Sequence, residues 1–376
     1  MSTIKVQNIQ HTASSTNAIS LASDGTCSAN ITNNLSNRRL TINGDMRISQ
    51  RATSWSTPAD NTKIIDRYAV FKNGAGEIDI EQSTTVPTGE GFKNSLKCTV
   101  DTADTSLSSS DFGGIMHKIE GQDITQFDFG NSSAKQFTLS FFVRSNITGT
   151  YSVAFRNGSA NRYLVKEYTI SSADTWQKIT ITDTADLTGT WASDNTTGID
   201  IRWCLWEGGF TAAPNTWGTG NILGSTNNVN WAATVGNTFY ITGIQLELGS
   251  ISTDYEFRGI AQELALCQRY YVVIAHQPAS AQKSVCNLGQ YSPSTAHGVV
   301  HFPVQMRVGP SLAATSGGSY YVAYGSNAGQ GFDAFGLQKV TTLCAEISTS
   351  VARTQGDSIF VRTNAAGARL AFEAEL

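Results

Sequence analysis

Residues 136–145, QFTLSFFVRS, alternate: Phe137, Leu139, Phe141 and Val143 fall on one side, Thr138, Ser140 and Arg144 on the other, with Phe142 the one apolar exception. A period of two is the signature of a half-buried β-strand. The same pattern recurs at short intervals in RYAVF, GEIDIEQ, SLKCTV, TYSVAFRN, YLVKEYTI, TWQKITITDT, GIDIRWCLW and NTFYITGIQLELG, each run split from the next by turn residues. In GIDIRWCLW, Ile201, Trp203 and Leu205 oppose Arg202 and Cys204. Many short strands at close spacing predict two packed antiparallel sheets. The 34 Gly and the abundant Ser, Thr and Asn suit tight turns and pleated surfaces, while only 7 Pro interrupt them.

One stretch breaks the alternation. In RGIAQELALCQRYY the apolar positions Ile260, Leu264, Cys267 and Tyr271 are spaced four, three and four, a helical stripe. Beyond it β-signals return in YVVIA, GVVHFPVQMRV, SYYVAYG, LCAEIS, SIFVRT and RLAFEAEL. The division predicted is an N-terminal arm over 1–38, a β-domain over 39–257, a linker helix over 258–271 and a smaller β-domain over 272–376. The stripe either packs around an oligomer axis or caps its own domain, with Glu263 solvated. The arm carries single apolar residues among Ser, Thr and Asn, including Ile4, Val6 and Ile9. It reads either as a flexible tail or as an extended segment that adds strands to a partner.

A net charge of −4, without any cluster of Lys and Arg, argues against nucleic acid as a partner. The N-terminus lacks a signal-peptide pattern, and no apolar run is long enough to span a bilayer, so folding in the cytosol without membrane insertion is expected. Cys27, Cys98, Cys204, Cys267, Cys286 and Cys344 are scattered with no CxxC pair, which predicts reduced thiols. His297 and His301 stand four apart on a strand, and neither a metal motif nor a nucleotide or nucleophile motif is present. No cofactor is expected. Glu77, Asp79 and Glu81 share one strand face. They could hold calcium or simply form a solvated outer face.

Particular strings then resemble one family: INGDMRISQRATS (42–54), IIDRY (64–68), FTLSFFVRSNITGTYSVAFRN (137–157), YTISSADTWQKITIT (168–182), NTFYITGIQLELGS (237–250) and ELALCQRYY (263–271). They are similar to the carbohydrate-binding-module-like jelly-roll domain of bacteriophage tail fibres and related virion fibres, especially of marine and cyanobacterial phages. The resemblance implies an all-β chain with an antiparallel jelly-roll β-sandwich over 39–257 and a second, smaller C-terminal β-sandwich as its tip. It further implies a homotrimer on the virion, assembled in the host cytoplasm. The arm would attach to other tail or baseplate proteins, and the chain would recognise host-surface polysaccharide without enzymatic activity. A head decoration, collar or adaptor protein touching only virion proteins is the alternative, and a capsule depolymerase a further one.

Glycan binding needs flat rings beside amides and hydroxyls. The long connection 206–236 holds Trp206, Trp217 and Trp231 among Asn, Thr and Gly. The tip string GGSYYVAYGSNAGQGFDAFG holds Tyr320, Tyr321 and Tyr324. For each the structural alternative is core packing, Trp217 closing the sandwich and Tyr320, Val322 and Tyr324 facing inward.

Overall fold

The structure, a computed structural model, describes residues 5–15, 17–21, 23, 27–29, 37–317, 319–325 and 328–376. The expected all-β architecture is what the chain adopts. Ten strands build the larger sandwich: β1 (Tyr68–Asn73), β2 (Glu77–Ser83), β3 (Ser95–Thr102), β4 (Phe112–Glu120), β5 (Gln136–Ser145), β6 (Gly149–Asn157), β7 (Arg162–Ile170), β8 (Gln177–Thr184), β9 (Thr197–Glu207) and β10 (Thr238–Leu248). They form two antiparallel sheets in the orders β7-β6-β9-β4-β1 and β8-β5-β10-β3-β2. Short edge pieces, Gly218–Thr219 beside β7 and Ser54–Trp55 beside β2, complete six strands per sheet.

Alternation decides what lies between the sheets. Phe137, Leu139, Phe141 and Val143 meet Ile199, Ile201, Trp203, Tyr151 and Phe155 in one buried cluster. Removing that apolar surface from water is the main stabilising term of such a sandwich.

Within the N-terminal arm, Asn8–Ile9, Ile19–Leu21 and Cys27–Ala29 pair as a three-stranded antiparallel meander. A turn closed by Ser14 N–H donating to the His11 carbonyl (2.9 Å) reverses the chain between the first two. Val6 and Ile9 are exposed, and Ile4 lies outside the described residues.

The tip has its own core. Seven strands form its main sheet: β12 (Ser284–Ser292), β13 (Thr295–His301), β14 (Tyr321–Gly325), β15 (Ala328–Phe332), β16 (Gly336–Val340), β17 (Cys344–Ser350) and β18 (Ser358–Thr363), in the order β15-β14-β18-β12-β13-β17-β16. A three-stranded sheet of β11 (Tyr271–His276), β19 (Arg369–Glu373) and Ser311–Leu312 is the other layer. Phe372, Leu370 and Val272 from that layer meet Tyr321, Ile347, Ile359 and Val361 from the first.

The helix spans Ile260–Gln268, so Tyr271 opens β11 and is no part of the helical stripe. Ile260 is 56% exposed, Leu264 half-buried, and Cys267 and Tyr271 buried within the same chain. The four positions therefore do not form one open seam. The buried face of the helix sits against Ile42, Ile48 and Leu376, which close over Cys267 and Tyr270. Glu263, expected to be solvated, is fully buried and paired with Arg39, and its carboxylate also accepts from the Asn43 N–H. Asn43 itself ties a tight turn, with its side chain bonded to both Ile48 N–H (2.9 Å) and Ile48 carbonyl (2.8 Å).

Charged groups then fasten the tip to the sandwich. Arg269 makes a two-pronged pair with Glu120 (2.7 and 2.8 Å), whose carboxylate also accepts from the Tyr270 hydroxyl. Glu375 lies between Arg67 and Arg51, the latter at 3.1 Å, and Lys63 donates to the Leu376 carbonyl at 3.0 Å. The Arg67 and Arg51 guanidinium groups lie 3.4 and 3.8 Å from the ring centroids of Tyr270 and Tyr271. Two-pronged pairs and cation–ring contacts fix orientation as well as proximity.

Candidate functional site

The tryptophan-rich connection is not an open loop. It crosses the outer face of the β7-β6-β9-β4-β1 sheet, where Phe210 and Leu223 pack on Phe71 and Met116. Trp206 and Trp231 have no exposed surface and stack on each other with centroids 6.4 Å apart. They cannot offer a face to a sugar. The reason for Trp206 is a bulge between Cys204 and Trp206 on β9, which returns the indole to the core side of the strand. The opposing position is Gly113, where a Cβ would stand 1.9 Å from the indole. Trp217 is half-buried, donates to the Thr184 carbonyl at 2.8 Å, and packs edge-on to Trp191 and Phe129, the closing role weighed for it from the sequence.

In the tip the parity differs from the inward alternative of Tyr320, Val322 and Tyr324. Tyr321 and Ala323 point inward with no exposed surface, and the Tyr321 hydroxyl is satisfied by the Thr315 and Arg369 carbonyls. Tyr321 is therefore core and not a ligand contact. Tyr320 is half-buried at the strand's entrance, and Tyr324 is half-exposed on the outer face.

That outer face carries open aromatic surface. On β18, Ile359 and Val361 go inward while Phe360 (39% exposed) and Arg362 go out, and the Arg362 guanidinium lies over both Tyr324 (5.0 Å) and Phe360 (5.1 Å). On β12, Leu288 and Gln290 go inward while Gly289 and Tyr291 go out. The buried Gln290 amide donates to the Ser292 and Val351 carbonyls, both at 2.7 Å, and so pins the hairpin that holds Tyr291 into solvent, 70% exposed. The Tyr291 ring leans on His297 (5.0 Å), and His297 Nδ1 shares a 2.8 Å hydrogen bond with Glu346.

Between these two groups the sheet is bare. Phe360 stands opposite Asn287, and Tyr291 lies four residues further along β12, roughly 13 Å away at a strand's rise. Gly289 floors the interval, and a Cβ built there meets no atom within 4 Å. The result is a shallow trough with a ring at each end, and with Arg362, Asn287, His297 and Glu346 as polar groups along it. Such a surface can stack the carbon face of a sugar ring and read its hydroxyls. The signal available in sequence was Phe360 on the polar parity of SIFVRT.

The three acidic residues of β2 face outward, with Ile78 and Ile80 inward. Each already has a partner: Glu77 with Lys72, Asp79 with the Thr57 N–H (3.0 Å) and Glu81 with Lys97 (3.1 Å). Among the described residues no group of three or more His, Cys, Asp or Glu is gathered that could hold a metal ion.

No protein-family model matches the chain, and no curated protein matches it in sequence. Solved structures similar to it include the enzymatically active domain of tailspike protein 4 from bacteriophage CBA120, at 12% identity and a TM-score of 0.30 over 52% of this chain and 21% of that one. Another is the family 11 carbohydrate-binding module of a cellulosomal cellulase of Clostridium thermocellum, at 13% identity and 0.27 over 53% and 97%. A third is a xylanase 10B fragment of the same organism complexed with xylohexaose, at 12% identity and 0.26 over 55% and 30%. The match spans about a fifth of the tailspike chain. At these scores the likeness carries no argument about ligand or activity.

Proposed function

We propose that the chain is a non-enzymatic fibre component of a phage virion that attaches through its N-terminal arm and recognises host-surface polysaccharide. The observation that carries the reading is the tip sheet's uncovered outer face, with Tyr291 and Phe360 set at the two ends of a glycine-floored trough. The exposed Val6 and Ile9 of the arm, and the fibre-like strings running from 42 to 271, support attachment to other virion proteins. A homotrimer belongs to this reading, because three weak sites presented together convert modest contacts into avidity.

The test is binding of purified protein to polysaccharide from the host envelope. Tyr291→Ala and Phe360→Ala should each weaken retention at least about tenfold, equivalent to about 1.4 kcal/mol, with thermal unfolding unchanged. Unaltered retention in both variants would sink the reading. Light scattering should report three chains per particle, and incubation with polysaccharide should release no reducing ends.

A second reading, an adaptor that contacts only virion proteins, draws on Val299, Val340 and Leu343, which leave further apolar surface exposed on the same sheet and its edge. Labelled antibody against the tip would decide it, by marking either the particle's distal end or an internal junction.

A further inference from the structure

A second cluster on the molecule carries more positive charge than its own carboxylates neutralise. On the outer face of the β7-β6-β9-β4-β1 sheet, the register places Lys118 of β4 opposite Asp200 of β9, Asp200 opposite Arg156 of β6, and Arg156 opposite Tyr163 of β7. Arg202 stands two residues along β9 on the same face. Both guanidinium groups converge on one oxygen: Arg156 Nη2 and Arg202 Nε donate to Asp200 Oδ2 at 3.0 and 2.9 Å. Asp200 Oδ1 and Arg156 Nε are buried without a partner, in side chains only 3% and 6% exposed. The Lys118 carbonyl accepts from Arg67 at 2.7 Å, while its ammonium donates to no described residue; burial disfavours that ammonium, Asp200 favours it, and Arg202, Arg156 and Arg67 oppose it. Three cations around one carboxylate leave a net charge of +2 in a partly desolvated place, where an unneutralised charge is costly.

What would relieve it is an anion. At its far end Lys118 borders a cavity too small for a ligand, lined also by Lys63, Arg67 and Glu375. Lys118 and Arg156 lie in a row across three strands, which neighbouring strands space at roughly 4.8 Å, and the row continues to the half-buried Tyr163. The Asn221 side chain accepts from Arg156 beside it, and Arg202 lies over the Phe71 ring at 4.8 Å. A line of charge ending on a ring and an amide suits an acidic group carried on a sugar chain better than a free ion. We propose that Lys118, Arg156 and Arg202, gathered around Asp200, form an anion site on the jelly roll that takes the carboxylate or sulfate group of an acidic polysaccharide. This site is separate from the tip trough and does not rest on it.

Affinity electrophoresis of the full chain through gels containing alginate, dextran sulfate or neutral dextran tests the site. The wild type should be retarded by alginate, by dextran sulfate or by both, increasingly so as salt is lowered. Retardation by alginate alone identifies the carboxylate, and by dextran sulfate alone the sulfate ester. Lys118→Gln, which breaks no side-chain hydrogen bond and removes a partly buried charge that burial disfavours, should keep its unfolding midpoint and weaken retardation about tenfold. Tyr291→Ala should leave it unchanged. Equal retardation in neutral dextran, or wild-type mobility of Lys118→Gln in both acidic gels, would overturn the proposal while leaving the tip trough standing. If Tyr291→Ala alone abolishes retardation, the acidic ligand belongs to the tip and the anion site falls.

Discussion

Glu263 shows how much one side chain can hold. Its buried carboxylate faces Arg39, with Arg258 at 3.8 Å and Arg47 at 4.0 Å. Removing one partner of such a group strands the rest in a low-dielectric interior, so Glu263→Ala should cost about 3–5 kcal/mol in urea unfolding. Two other buried groups set a pH response of opposite sign. His117 has both ring nitrogens unpartnered, and burial, then Arg67 and Arg39, hold it well below its ordinary value. The unfolded chain therefore takes up a proton below about pH 6.5 that the folded chain refuses, and stability falls on the acid side by about 1.4 kcal/mol per pH unit. Asp66 works the other way. Burial pushes it up to about 6, against hydrogen bonds from Gln50 and the charge of Arg51. The folded state binds its proton first, so this group adds stability as pH falls from about 6 towards 3.8. Asp66→Asn should lose stability more steeply than the wild type between pH 6 and 4, and His117→Phe less steeply, in denaturant melts at each pH. Parallel profiles for all three proteins would refute this assignment.

Among the elements, strands were legible wherever the pattern of two dominated, as over Glu77–Glu81 of β2 and, despite Phe142, in β5, because each side chain's face follows from its neighbour's. The pattern fails where a bulge inserts a residue. Cys204 to Trp206 on β9 is such a place, and the aromatic that looked like loop chemistry is core. Parity also misled in the tip, where Tyr320 and Tyr321 are adjacent and apolar, and nothing local says which faces in. The helix was visible by its stripe, yet its burial depends on Asn43 and Leu376, far away in the chain. The trough was the least legible feature, since it joins Tyr291, Phe360 and Gly289 from two strands whose pairing no local pattern specifies. The connection over the outer sheet face makes a prediction of its own: Leu223→Ala, at a side chain 2% exposed, should destabilise by about 2–5 kcal/mol in thermal or urea unfolding and leave the tip untouched.

At the scale of the whole molecule, the two sandwiches are joined by more than a linker. Burial works to raise Glu375, but Arg67, Arg51 and Lys63 more than offset it and leave the carboxyl below its ordinary value. Glu375→Lys sets four cations against one another and should free the tip. Small-angle scattering would then report a larger radius of gyration, and protease would cut within 258–271, while the far-ultraviolet signal of both β-domains persists. A variant that scatters like the wild type would show that the ties at Glu120 and Asn195, with the helix, hold the domains without Glu375.

The Asn195 side chain donates to the Arg307 carbonyl, and the Arg307 guanidinium donates back to the Asn195 carbonyl, each at 2.9 Å, so the sandwich also grips the tip at a point far in sequence from the helix. Bonds at Glu120, Glu263, Glu375 and Asn195 bracket the join from several directions. A tug on the far end of the second β-domain would thus load them together in shear and not unzip them one by one, so that force entering one sandwich would pass to the other through a stiff joint.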